Sequence, residues 1–132
     1  MNLNTAQQLV NQAVEIAQTE KKNIAVAVVD DHGELLVFAR MDGTSLHAGV
    51  LAQNKAYTSA RDRQATASLA QWAKDTGKDM GYWTDPKFTG IQGGLPISEN
   101  DLVTGAIGVS GLSEEEDEVI AQQAIQQVFS AR

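Results

Sequence analysis

The stretch Gly93–Leu112, GGLPISENDLVTGAIGVSGL, decides how this chain is read. It holds five of the eleven glycines and one of the two prolines. Two extended segments, Gly94–Ile97 and Leu102–Ser110, flank a polar turn at Ser98–Asp101. Strand alternation puts Val103, Ile107 and Val109 on one face of the second segment. Thr104, Ala106, Gly108 and Ser110 fall on the other. One face is bulky and apolar, and the other is nearly bare of side chains. A bare face lets a helix, a ligand or another backbone come close.

Outward from this stretch, the pattern predicts further elements. Residues 4–21 read as a helix with Leu9, Ala13, Ile16 and Ala17 at helical spacing, and Asn4 with Gln7 as its capping box. Residues 24–31, IAVAVVDD, form a continuous apolar run, so this strand should be covered on both faces. The turn Asp31-His32-Gly33 leads into a second strand at 34–41, completing a β-hairpin. Residues 46–62 are helical, with Leu46, Val50, Leu51, Asn54, Tyr57 and Thr58 sharing the expected inner face. A helix at about 65–76 turns Leu69, Trp72 and Ala73 inward. Residues 77–90 read as a loop with three aromatics, Tyr82, Trp83 and Phe88, which should pack onto something. The last helix starts at Ser113, with Glu116 completing a capping box, and runs to about residue 130. The expected architecture is α+β: one mostly antiparallel sheet with helices packed on it.

At 132 residues the chain reads as a single domain, 1–132, large enough to bury a core without staples. It has no cysteine, which excludes disulfides, thiolate metal sites and a cysteine nucleophile. The net charge of −7 and the lack of a basic stripe argue against nucleic acid. No apolar run approaches the ~20 residues that span a bilayer, and the N-terminus lacks a signal-peptide pattern. A cytoplasmic location is the expectation.

The motifs NIAVAVVDDHGELLVFARMDG, LAQNKAYTSA, GGLPI and TGAIGVSGLSEEEDEVIA, in that order, resemble the GlcG/HbpS family of haem-degrading or haem-binding-like domains. The resemblance covers nearly the whole chain. It implies a profilin-like, three-layer α/β/α fold with a five-stranded antiparallel sheet, the fifth strand lying between Thr84 and Gln92. It also implies a homo-oligomer, often an octamer, and haem or a related tetrapyrrole as ligand.

The candidate ligand-binding residues are Lys55, Tyr57, Thr58 and His47, with backbone around Gly93, Gly94 and Pro96 as the floor. An ammonium, a phenol and a hydroxyl on neighbouring helix positions can hydrogen-bond a carboxylate-bearing ligand. The resemblance places this helix beside the ligand, with the Thr58 position in contact. The expected cleft lies between this helix and the bare face of the strand 102–110. His32 reads as a solvated turn residue. Arg40 and Asp42 are expected to pair with each other, and Glu114–Glu118 to stabilise a helix N-terminus rather than bind a cation. The glycines at 105, 108 and 111 match neither a dinucleotide fingerprint nor a P-loop. No catalytic residue and no metal site is assigned. Two alternatives stay open: an enzyme or enzyme accessory for a small hydroxy- or oxo-acid, with Tyr57 or His47 as acid/base, and a structural oligomer burying Tyr82, Trp83 and Phe88 between protomers.

Overall fold

The computed structural model describes residues 1–132. In chain order the elements are α1 (Leu3–Thr19), β1 (Ala25–Asp30), β2 (Leu35–Arg40), α2 (Ala48–Asp62), α3 (Thr66–Thr76), a short 3-10 helix (Met80–Trp83), β3 (Gly94–Glu99), β4 (Leu102–Ser110) and α4 (Glu114–Ser130). The strands form one sheet in the order β2-β1-β4-β3, antiparallel throughout. The turn between β3 and β4 has Asn100 and Asp101 at φ +53 and +64°, a two-residue turn whose twist matches its flanking strands. α1 is capped two residues earlier than expected: the Asn2 side chain accepts from the Thr5 N–H at 2.8 Å, and Asn4 lies inside the helix. The Ser113–Glu116 box forms at α4 as expected.

Side-chain size assigns the two sheet faces. Val26 and Val28 of β1 and Ile107 and Val109 of β4 join the main core with α1 and α4. Ala25, Ala27 and Ala106 point the other way, into a second cluster with Ala48, Ala52, Ala56 and Ala60 of α2. Every α2 member of this cluster is an alanine, which corrects most of the expected inner face of the helix; of that face only Thr58 is fully buried. Leu46 is 89% exposed and Val50 is exposed, while Ala52, Lys55 and Ala56 are fully buried. The reason is distance. A Cβ on Gly108 would fall on the Ala52 carbonyl and 2.6 Å from the Ala56 nitrogen. The helix backbone rests directly on the strand, and at that separation only the smallest side chains fit.

The same contact removes the expected cleft between α2 and β4, because the helix fills it. The expected fifth strand is also absent. From Thr84 to Gln92 the backbone donors are taken by side chains and turns rather than by a neighbouring strand. Lys87 N–H donates to Asp85 Oδ1, Thr89 N–H to Thr58 Oγ1, Ile91 N–H to Thr89 Oγ1 and Gln92 N–H to Glu114 Oε1. A segment whose N–H groups point at local acceptors cannot build a ladder. Arg40 and Asp42 form no ion pair.

Candidate functional site

The residues singled out along α2 separate into two environments. Lys55 sits in the middle of the alanine stripe, where a lysine needs an internal partner. The residue is 0% exposed, and Nζ donates to the Val109 carbonyl at 2.8 Å and to Asp117 Oδ2 at 3.1 Å. Asp117, 2% exposed, also accepts the Leu112 N–H at 3.1 Å. Burial pushes the Lys55 ammonium below its ordinary pKa and the Asp117 carboxyl above its own, with their mutual attraction opposing both shifts.

Gly93 completes this junction. It holds φ +131°, and a Cβ there would lie 2.6 Å from the Val109 carbonyl and 2.8 Å from Lys55 Nζ. Gly94 packs as tightly, on the Lys55 carbonyl and Ser59 Oγ, and donates its N–H to Thr66 Oγ1 at 3.0 Å. The expectation of Lys55 as a ligand contact is thereby corrected: its charge is consumed in tying α2 to the start of α4. Asp117 escaped notice in the sequence because it sits inside the acidic run 114–118. The signal was available in Ala48, Ala52, Lys55, Ala56 and Ser59, a small-residue stripe interrupted by one cation.

Tyr57 and Thr58 belong to the second environment. Thr58 is buried, donates to the Asn54 carbonyl at 2.7 Å and accepts from Thr89 N–H at 3.1 Å, so it pins the 84–92 segment onto α2. Tyr57 donates its hydroxyl to Asp85 Oδ2 at 2.6 Å. That hydrogen bond holds the phenol above its usual pKa and the Asp85 carboxyl below its own. Replacing Asp85 with Asn should return Tyr57 toward ordinary tyrosine behaviour. Ultraviolet titration of the phenolate in a Tyr82→Phe background reads this directly, with phenolate appearing at lower pH in the Asp85→Asn protein. An unchanged titration would contradict the contact. His47 stands apart, exposed at the N-cap of α2 without a side-chain capping bond. Pro96, half-buried on β3 opposite Ala106, lies in the edge strand. His32 is a solvent-exposed turn residue. Arg61 and Arg63 donate to the carbonyls of His32 and Asp31, bracing the β1–β2 turn.

Beyond Tyr57 the aromatics form a continuous wall. Tyr57 meets Phe88 edge-on with centroids 6.1 Å apart, Phe88 stacks on Trp83 at 6.1 Å and 27°, and Trp83 meets Trp72 edge-on at 4.5 Å. Trp72, expected inside, lies at the surface against Trp83; Trp83 and Phe88 are half-buried and Tyr82 is 64% exposed. The wall borders a groove of about 610 Å³ between the end of α3 and the segment 88–91. Its apolar lining includes Ala70, Ala73, Met80, Phe88 and Ile91, and Lys74 and Lys78 stand among the lining residues. The floor is tight: a Cβ on Gly90 would touch Ala70 at 3.2 Å. Gly77, at φ +72°, ends α3 and reverses the chain so that Met80 returns to the groove. Neither Lys74 nor Lys78 has an ion-pair partner, and Lys78 Nζ lies 5.5 and 5.4 Å from the Trp72 and Tyr82 ring centroids. Two unpaired cations on an apolar groove stand out in a chain of net charge −7. The aromatic loop was visible in the sequence; its pairing with the two lysines and Met80 depends on the chain reversal at Gly77. No group of three or more His, Asp or Glu side chains is placed to hold a metal ion.

Comparison with known proteins agrees with this fold. The family model described as "Haem degrading protein HbpS-like" matches residues 1–126. Protein GlcG of Escherichia coli K12 is 34% identical over 96 residues, 73% of this chain and 70% of that protein. Among solved structures, protein ORFY of Klebsiella pneumoniae superposes with a TM-score of 0.90 at 30% identity, covering 100% of this chain and 92% of that one. The structure described as a PduOC–haem complex superposes with a TM-score of 0.87 at 31% identity, covering 95% of this chain and 92% of that one. The chain belongs to the HbpS-like family.

Proposed function

We propose that this protein binds a tetrapyrrole, haem or a relative of it, in the groove between α3 and the segment 88–91. The observation that carries the reading is the groove itself: an open, mostly apolar depression of about 610 Å³, edged by Phe88 at the end of the aromatic stack, with two ammonium groups that have no ion-pair partner. Its size is within the ~300–1,000 Å³ range of small-molecule sites. A tetrapyrrole brings a flat apolar ring and peripheral carboxylates, and the groove offers Phe88 and the aliphatic lining of Ala70, Ala73, Met80 and Ile91 for the first and Lys74 and Lys78 for the second. The solved haem complex of a relative at 31% identity supports the ligand class. In this reading Thr58, Tyr57 and Asp85 hold the wall in place, and Lys55, Gly93 and Gly94 fix the helix that carries it. Self-association into a homo-oligomer is supported by the exposed Leu46, just before α2, and Val50 in its first turn; the octamer is the size the family resemblance implies. No helix is long and apolar enough to cross a membrane.

An activity on a small hydroxy- or oxo-acid draws less support. The Tyr57–Asp85 hydrogen bond moves the two pKa values apart, the phenol up and the carboxyl down, away from the neutral range where general acid–base catalysis is efficient. His47 has no orienting hydrogen bond.

Titration with haemin, followed by the Soret band and by quenching of tryptophan fluorescence, tests the proposal; both tryptophans of the chain lie in the wall. Saturable binding is expected. The double variant Lys74→Glu with Lys78→Glu should weaken it by about tenfold or more, from two lost charge pairs of up to ~1 kcal/mol each and the repulsion that replaces them. An unchanged affinity would move the ligand out of this groove.

A further inference from the structure

The sheet has two edges, β2 and β3, and they are built differently. β3 is closed to a further strand: Pro96 brings no donor, and the Gly94 N–H is taken by Thr66 Oγ1. β2, LLVFAR, holds no proline or lysine and pairs only with β1, with one register shift between Val28 and Val29. The Met41 N–H donates to the Ile24 carbonyl, so alternate residues face β1 and the backbone groups of Phe38 and Arg40 point away from the sheet. Apolar side chains flank this open ladder. Leu35 and Phe38 are exposed, and Phe38 Cζ lies 3.2 Å from where a Cβ on Gly49 would sit, beside the exposed Val50. On the other side a groove of about 580 Å³ separates α1 from the strand, with Val10, Val14, Val37, Phe38 and Ala39 as its apolar lining. The two ends of β2 carry opposite charge. Glu34 and Arg40 are exposed, and neither has an ion-pair partner. At ~3.3 Å per residue they stand roughly 20 Å apart, too far to pair within one chain.

We infer that β2 is a self-association surface: a second copy of this chain adds its own β2 antiparallel across a two-fold axis, so that two four-stranded sheets run on as one. The inference rests on the self-association reading above and names the surface. Charge selects the occupant and its direction. Antiparallel pairing brings Glu34 of each copy to Arg40 of the other, whereas parallel pairing sets like charges side by side. A two-fold axis makes one strand complementary to itself, with both charge pairs formed at once. The added ladder gives partners to the outward backbone groups of Phe38 and Arg40 and removes Leu35 and Phe38 from water. The groove beside α3 lies toward the β3 edge, where Thr66 of α3 holds Gly94, so ligand binding and this contact use different surfaces.

The test compares the full chain with Arg40→Glu and with the double variant Glu34→Lys, Arg40→Glu, by analytical ultracentrifugation over a dilution series. Arg40→Glu sets two carboxylates together at each end of the paired strands and should raise the dissociation constant about tenfold or more. The double variant restores opposite charges and should recover most of the wild-type affinity. That recovery can arise only between copies, because the two positions are out of reach within one chain. Hydrogen exchange gives a second reading: the Phe38 and Arg40 amides should exchange more slowly as the wild-type concentration rises. A double variant as weak as Arg40→Glu, an Arg40→Glu protein as tight as the wild type, or exchange at these amides that ignores concentration overturns the β2 assignment while self-association stands. A wild type that stays monomeric at every concentration overturns the self-association reading and the β2 surface together.

Discussion

Gly108→Ala should be among the most damaging single substitutions in this protein, although it adds one methyl group. The new Cβ would fall on the Ala52 carbonyl and within 2.6 Å of the Ala56 nitrogen, both backbone atoms of α2. No rotamer change relieves such a clash; the helix must lift off the sheet. Lifting it opens the alanine cluster of Ala25, Ala27, Ala106 and α2 along its length. The expected loss is at or above the upper end of ordinary overpacking, about 3 kcal/mol. For a domain of this size that corresponds to a melting temperature on the order of 10 °C lower. Gly77→Ala provides the contrast. That position is also strained, at φ +72°, but has no atom within 4 Å of the added Cβ. Its cost should be limited to the left-handed backbone, roughly 1–2 kcal/mol. Thermal denaturation of the two variants side by side separates close approach from conformational freedom. Equal losses would mean that the helix does not sit on Gly108.

The second large effect is expected at Lys55. Lys55→Met keeps much of the volume but strands the Asp117 carboxylate, 2% exposed, without its counter-charge. Breaking a buried pair from one side costs about 3–5 kcal/mol. Asp117→Asn added to Lys55→Met should recover more than half of that, because Asn can still accept the Leu112 N–H while carrying no charge. The deficit of the single variant should also depend on pH. The Asp117 pKa is already raised in the folded protein by burial, and losing Lys55 raises it further. A carboxyl with a raised folded pKa binds more protons folded than unfolded, so its contribution to stability falls as pH rises from its unfolded value to its folded one. Lys55→Met should therefore lie nearest the wild type at about pH 4 and fall furthest below it at neutrality, read by chemical denaturation across that range. A deficit independent of pH would mean that Asp117 is not left charged and buried.

These two substitutions mark what was legible in the sequence. The alternation of Val103–Ser110 announced a strand with one bare face, and the structure makes that face the seat of α2. The helix was read from its large apolar residues, Leu46, Val50 and Leu51, as amphipathic helices usually are. The structure instead rests Ala48, Ala52, Ala56 and Ala60 on the sheet, since a glycine-bearing strand draws the helix in, with Lys55, Thr58 and Ser59 buried at the margins of that contact. The strands at 94 and 102, the hairpin and the capped last helix followed from local signals. The fifth strand did not appear because Asp85, Thr58, Thr89 and Glu114 capture its backbone donors; Asp85 and Thr89 act two residues away and Thr58 and Glu114 act 31 and 22 residues away, so none reads in sequence as a competing ladder. The site was legible in part. Tyr57, Thr58 and the aromatic loop were noticed, and they do meet. Lys55 was noticed for its charge, which turns out to be spent internally on a partner 62 residues away. Lys74, Lys78 and Met80 carry no motif at all; only the left-handed turn at Gly77 brings them to one groove.

Amide chemical-shift mapping with metal-free protoporphyrin tests the central claim most directly, because it locates the ligand without relying on the metal. Binding in the groove predicts shifts concentrated in residues 70–80 and 88–91, including the indole signals of Trp72 and Trp83. The start of α2 around His47 and the edge strand around Pro96 should stay still. Shifts centred on those two regions, or no shifts at saturating porphyrin, would contradict the account.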